Sequence, residues 1–170
     1  GGLELKVFAE AQPDWTFVGV DPSGAMLDLA RQTLGALNGR VQLHEGYADT
    51  APQGPFDAAS CILTMHFIAR EERLKTLQEI RSRLKAGRPF VMVHFSIPEG
   101  ERDIWLARYA AFAITSGIDP AQAHGARVGI GERLPILSPA EDEQLLREAG
   151  FTGIGLFYAG FSFRGWVAHA

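Results

Sequence analysis

The chain has 170 residues, 46% apolar and 21% charged, which is enough to bury a full core at ordinary composition. Its net charge of −4 argues against nucleic acid as the main partner, because phosphate binding draws on a basic surface. The one cysteine, Cys61, excludes a disulfide framework and goes with a reducing, cytoplasmic setting, and no apolar stretch approaches the ~20 residues of a membrane span.

Gly1-Gly2 precede Leu3, Val7 and Ala11 at helical spacing, so glycines open the first helix. Residues 15–20 form an apolar, β-branched and aromatic run that reads as a buried strand ending at Asp21. Pro22-Ser23-Gly24 then lead into a helix with Leu27, Ala30, Leu34 and Leu37 on one face, ending near Gly39. A carboxylate at the carboxyl end of a strand, opening onto a helix, can accept both hydroxyls of a ribose. With glycines about 20 residues ahead of it, this is the second half of a nucleoside-binding βαβ unit. The first strand of that unit is expected upstream of Gly1, flanked by residues 15–20 and 56–63.

Residues 41–44 form a short strand followed by Glu45-Gly46-Tyr47-Ala48-Asp49, and Pro52-Gln53-Gly54-Pro55 is a loop. Residues 56–63 read as a buried strand, and 70–85 as a helix with Leu74, Leu77, Ile80 and Leu84 inward. On its wet face Glu71/Lys75 and Glu79/Arg83 are paired i,i+4, and its cationic end (Arg81, Arg83, Lys85, Arg88) complements the macrodipole. Residues 89–95 are another strand. Alternating strands and helices imply a parallel sheet covered on both faces.

Residues 101–133 break this rhythm with one good helix over 104–116, then Asp119-Pro120 and a glycine-rich run through Gly131. An insertion there lies on the rim where open α/β sheets bind ligands. Ser138-Pro139-Ala140-Glu141 is a capping box with proline at the first helical position, and Gly150 closes that helix. Residues 152–159 and 161–169 are strands too closely joined for a parallel crossover, so they form an antiparallel hairpin.

Taken in order, Gly1-Gly2, Val18-Gly-Val-Asp21-Pro-Ser, Gly46-Tyr-Ala-Asp49, Phe56-Asp57, Leu84-Lys-Ala-Gly87 and Leu145-Leu-Arg-Glu-Ala-Gly150-Phe151 resemble the class I S-adenosylmethionine-dependent methyltransferases. The resemblance implies an α/β, doubly wound, mostly parallel seven-stranded sheet with an antiparallel C-terminal hairpin. Residues 1–170 would be one such domain without its first strand, bearing a lid at 101–133. It also implies S-adenosylmethionine as cofactor and S-adenosylhomocysteine as product. Gly1 and Gly2 would line the amino-acid end, Asp21 would hold the ribose, and Pro22 and Met26 would lie beside the adenine. Asp49 would accept the adenine amine, with the amide of Ala48 near the ring. The backbone at Leu63 and Thr64 would line the sulfonium side.

Each position has a plainer use: Asp21 as a helix cap, Asp49 as a turn residue, Asp57 as structural at a strand entrance. Methyl transfer needs a base only if the acceptor must lose a proton, and His66 is the best-placed candidate. A lone histidine among apolar residues is more often a hydrogen-bonded core residue. Trp105, Tyr109 and Phe112 form an aromatic stripe that serves either as core or, together with Phe67, as an acceptor lid. Arg127 and Arg164 fit either an anionic acceptor or ordinary solvated and salt-bridged roles. The histidines lack metal-ligand spacing. The reading is methyl transfer to a small molecule, with no membrane partner and a homodimer left open. The rivals are a nicotinamide-dependent oxidoreductase domain, a non-catalytic S-adenosylmethionine-binding module, and a methyltransferase for RNA or protein.

Overall fold

Strand β1 (Phe17–Asp21) pairs in parallel with β2 (Val41–Glu45), each covered through the helices that precede and join them. The computed structural model describes residues 1–170, and the chain falls into two compact units, Gly1–Gly54 and Pro55–Ala170. The boundary lies in the loop 52–55, where two prolines and a glycine exclude regular structure.

In the N-terminal unit, α1 (Leu3–Ala11) starts from Gly2 in the left-handed region at φ +84. A Cβ on Gly2 would come within 2.8 Å of the Ala30 Cα, so the absent side chain lets α1 approach α2 (Gly24–Leu34). Ser23 caps α2, its Oγ accepting the Met26 amide at 3.3 Å, and Leu27, Ala30 and Leu34 form its buried stripe. The α-helix stops at Leu34 and continues as a 3₁₀ segment, Gly35–Arg40, where the sequence suggests one helix to Gly39. Arg40 donates to the carbonyls of Ala9 at 2.6 Å, Gln12 at 3.0 Å and Trp15 at 2.9 Å, closing the end of α1 with a cation.

The C-terminal unit is built on a four-stranded sheet in the order β3-β4-β6-β5. Strand β3 (Ala59–Ile62) is parallel to β4 (Pro89–Phe95), while β5 (Thr152–Gly160) and β6 (Phe163–His169) form the expected antiparallel hairpin, β6 lying against β4. Leu77 of α3 (Arg70–Ser82) and Leu146 of α6 (Pro139–Glu148) pack with Phe90, Met92, Phe151 and Trp166 in the main core. Ser138 and Glu141 make the capping box read from the sequence. No helix is long and apolar enough to cross a membrane.

The six strands expected within these residues are present, in two sheets, and β1 and β3 each pair along a single edge. Two expectations are corrected. The strand expected at 56–63 shortens to Ala59–Ile62, because Leu63 at φ +56 turns the chain out of the ladder; Phe56 keeps only an isolated bridge to Leu84. The glycine-rich run is a second helix. The insertion comprises α4 (Arg102–Thr115) and α5 (Pro120–Arg133), and Asp119 caps α5 by accepting the Gln122 amide at 3.0 Å. Three glycines in α5 lower its propensity, but a cap, proline at the first turn and burial of Ala123 outweigh that cost.

Candidate functional site

The N-terminal unit places Asp21 opposite Glu45 at the carboxyl ends of β1 and β2. The Gly46 amide donates to the Asp21 carbonyl at 3.1 Å, which brings the 46–49 turn beside the acid. One Asp21 oxygen accepts the Ser23 amide at 2.9 Å, orienting a half-buried carboxylate whose second oxygen remains for a ligand donor. Thr50 pins the turn: its hydroxyl accepts the Tyr47 amide at 3.2 Å and donates to the Tyr47 carbonyl at 3.1 Å. Pro22, Met26 and Asp49 are exposed and Ala48 is half-buried. A carboxylate with one oxygen fixed, at the mouth of two strand ends, fits the paired hydroxyls of a ribose.

Gly1 and Gly2 have a second explanation. They lie against Leu29 and Ala30 of α2, so close helix packing by itself calls for glycine there. Glu45 is a residue the sequence did not single out. Its Oε2 lies 3.2 Å from where a Gly24 Cβ would stand, putting a second carboxylate over the start of α2.

In the C-terminal unit, Leu63 at positive φ is held by its amide donating to the Val93 carbonyl at 2.6 Å. A left-handed leucine costs about 1–2 kcal/mol, so the packed sheet sustains a strained residue where β3 ends. Thr64 is exposed, and a 3₁₀ turn at Met65–Phe67 follows with Met65 and His66 buried and Phe67 exposed. The His66 Nδ1 accepts the Phe95 amide at 3.4 Å, so its remaining ring proton is on Nε2. Burial, with His94 and Arg73 adding smaller electrostatic effects, lowers the His66 pKa to about 4. His66 is therefore neutral at physiological pH, and its lone pair is already engaged. Acting as a base would require giving up the Phe95 amide.

Phe95 links this turn to the insertion. His66 meets its ring edge-on at 5.1 Å and Tyr109 meets it edge-on at 5.6 Å. Tyr109 and Trp105 pack on the small cluster of Phe95, Ile97 and Leu106. The Trp105 Nε1 donates to Glu101 at 2.6 Å, while Arg108 and Arg164 lie 4.7 and 5.3 Å from its ring. Arg164 also donates to the carbonyls of Phe161 at 2.7 Å and Phe163 at 2.8 Å, so it braces the hairpin. Arg127 is half-buried on α5, and Phe112 is exposed beside Phe161, ring centroids 4.6 Å apart.

Among the cations closing α3, Arg83 pairs with Glu79 at 2.6 Å, and Lys85 and Arg88 approach Asp57 at 2.7 and 3.6 Å. The Lys85 hydrogen bond holds the Asp57 pKa below the usual carboxylate value. Asp57 is thus a structural partner at the entrance to its strand. A buried polar group, Arg73, Asp142 and His94, went unmarked in the sequence reading. Its signal was available: Arg73 falls on the stripe of Leu77, and Asp142 on that of Leu146, four residues apart in each helix.

Residues 1–87, just over half of the chain, match the family described as methyltransferase domain, and the chain belongs to that family, of the class I S-adenosylmethionine-dependent type. Solved structures share the fold. The S-adenosylmethionine-dependent methyltransferase SibL in its apo form is 18% identical with a TM-score of 0.71, over 99% of this chain and 47% of that one. PigF with SAH is 18% identical with a TM-score of 0.67, over 96% and 46%. The O-methyltransferase family 2 protein from Planctomyces limnophilus DSM 3776 in complex with apigenin is 13% identical with a TM-score of 0.72, over 99% and 46%. The chain spans about half the length of these structures, 46–47%. No curated protein matches it.

Proposed function

We propose that this domain serves a methyltransferase that passes the sulfonium methyl of S-adenosylmethionine to a small-molecule acceptor by in-line displacement. The observation that carries this reading is Asp21, oriented by Ser23 at the end of β1 and tied by its carbonyl to the 46–49 turn. In this reading Asp21 takes the ribose hydroxyls, Pro22 and Met26 flank the adenine, and Asp49 with the Ala48 amide meets its polar edge. Gly1 and Gly2 leave room at the amino-acid end, and the backbone of Leu63 and Thr64 lines the methyl. The same reading includes the seven-stranded sheet, since the second edges of β1 and β3 each leave ladder groups for a further strand.

Bound S-adenosylmethionine supplies an activated methyl, and in-line positioning in such a site is worth up to roughly 7–11 kcal/mol. The residues of this chain contribute orientation. The strained Leu63 fixes the exit of β3, and Phe95, between His66 and Tyr109, supports the acceptor side. In this reading His66 is the base for an acceptor that must lose a proton, and it gives up the Phe95 amide to act. A small aromatic acceptor is favoured by the aromatic residues of α4 and by the apigenin complex of the Planctomyces limnophilus protein. The acidic balance of the chain and its single cysteine favour a small acceptor and a cytoplasmic setting over an RNA substrate. Calorimetric titration of the full-length protein with S-adenosylhomocysteine tests the reading. Micromolar binding supports it. No binding, with binding of reduced nicotinamide instead, would replace it with the oxidoreductase alternative.

A further inference from the structure

Arg73 is wholly buried, although arginine keeps its charge in proteins and loses several kcal/mol of hydration on burial. Its Nε donates to the Ile68 carbonyl at 3.1 Å and its Nη2 donates to the Pro135 carbonyl. Its Nη1 lies 3.8 Å from Asp142, itself 3.4 Å from the His94 Nε2, and both acidic and imidazole partners are buried. Arg73 Nη1, Asp142 Oδ2, both His94 nitrogens and the Ser96 hydroxyl lack hydrogen-bond partners. Apolar residues of the same volume often stabilise such a place as well or better, so packing gives this guanidinium no reason to be there. What it connects gives one.

Ile68 closes the 3₁₀ turn, its amide donating to the Met65 carbonyl at 3.1 Å. Pro135 is where the two-helix insertion returns to the sheet. Within that insertion Arg102, at the start of α4, donates to the carbonyls of Gly131 at 2.7 Å and Leu134 at 2.8 Å. Hydrogen bonds and short chain segments therefore run from the turn at Met65–Phe67, through Arg73, to both helices of the insertion.

We propose that Arg73 is a positioning residue that couples the turn after β3 to the α4–α5 insertion, so that cofactor at the turn orders the acceptor side. The coupling rests on the reading that this turn lines the cofactor; the clasp itself does not. Asp142, 3.8 Å from the guanidinium, supplies its counter-charge.

Amide hydrogen exchange on the full-length protein tests this, comparing wild type, Arg73→Gln and Arg73→Lys with and without saturating S-adenosylhomocysteine. Without ligand, Arg73→Gln should speed exchange at residues 65–68 and 134–137 together by about tenfold or more, with β4 and β6 unchanged. With ligand, protection in wild type should spread from the turn to α4 and α5, and in Arg73→Gln it should stop at the turn. Arg73→Lys keeps the charge opposite Asp142 but cannot fork to two carbonyls, so it should recover the fold and only part of the coupling. If Arg73→Gln does not fold, the lysine variant carries the test. Wild-type behaviour of the lysine variant, or ligand protection reaching α5 in the glutamine variant, would overturn the proposal. A merely structural role would change exchange everywhere alike. Absence of ligand binding by wild type would refute the functional reading, while the ligand-free comparison still decides whether Arg73 ties the two segments.

Discussion

Asp21 and Glu45 stand opposite each other where two parallel strands end, and the Gly46 amide returns to the Asp21 carbonyl at 3.1 Å. The pairing fixes the direction of one carboxylate, with Ser23 occupying one of its oxygens at 2.9 Å. Charge-assisted hydrogen bonds to a ribose are worth roughly 1.5–3 kcal/mol each. Asp21→Asn keeps the shape and removes the charge, and it should weaken S-adenosylhomocysteine binding by at least about tenfold in calorimetry. Unchanged affinity would return Asp21 to the role of a helix-entry cap.

His66 should make stability depend on pH. Its folded pKa of about 4 lies below the ordinary histidine value of 6.5, so between these values the unfolded chain binds the extra proton. The contribution is complete above about pH 6.5 and is lost as pH falls toward 4, up to roughly 3 kcal/mol for such a shift. Urea melts at pH 7 and pH 5 should show a smaller loss for His66→Gln than for wild type. In a turnover assay the same variant separates the roles: a steep fall with intact cofactor affinity marks a base, and near-equal turnover marks a packed residue.

Gly2→Ala should destabilise the N-terminal unit. The position has φ +84, and a Cβ would meet the Ala30 Cα at 2.8 Å. Left-handed strain and this backbone contact together predict a loss of about 1–3 kcal/mol, read as a lower urea midpoint at unchanged slope. Equal stability would mean that α1 can move off α2 at little cost.

Ser138→Ala removes the side-chain half of the capping box on α6, the Oγ that accepts the Glu141 amide at 3.3 Å, and leaves the backbone amide of residue 138 donating to the Glu141 carboxylate. The expected cost is about 1 kcal/mol at pH 7. The Glu141 pKa is held below its ordinary 4.5 chiefly by the backbone amide of residue 138, which the variant keeps, and to a smaller extent by the Ser138 Oγ, which donates to the carboxylate at 2.9 Å. That smaller share of the cap is present above pH 4.5 and fades as pH falls. Thermal melts of wild type and variant should therefore draw closer in acid but stay apart, since the bond from the Glu141 amide to the Ser138 Oγ does not titrate.

Local signals marked much of the fold. Asp21 after an apolar strand, Ser138 with Glu141, and the short link between the last two strands each state their structure within a few residues, because caps, strand ends and hairpins are decided by adjacent backbone. The α5 helix escaped, since glycines at 125, 129 and 131 read as loop while Asp119-Pro120 began a helix that packing then sustained. Leu63 escaped as well: nothing in a leucine announces positive φ, and the Val93 carbonyl that holds it is thirty residues away.

The order of residues alone was enough to settle the class of this protein: glycines, a strand-end acid, the Gly46–Asp49 turn and a closing hairpin, read at short range, and residues 1–87 match the methyltransferase domain family. Tertiary structure alone decided the states of its buried polar groups. The lowered pKa of His66 depends on burial and on His94 and Arg73 nearby, and Arg73 gains its meaning from carbonyls at Ile68 and Pro135. Desolvation and hydrogen-bond geometry are properties of the packed chain, set by neighbours distant in sequence, and no local pattern encodes them.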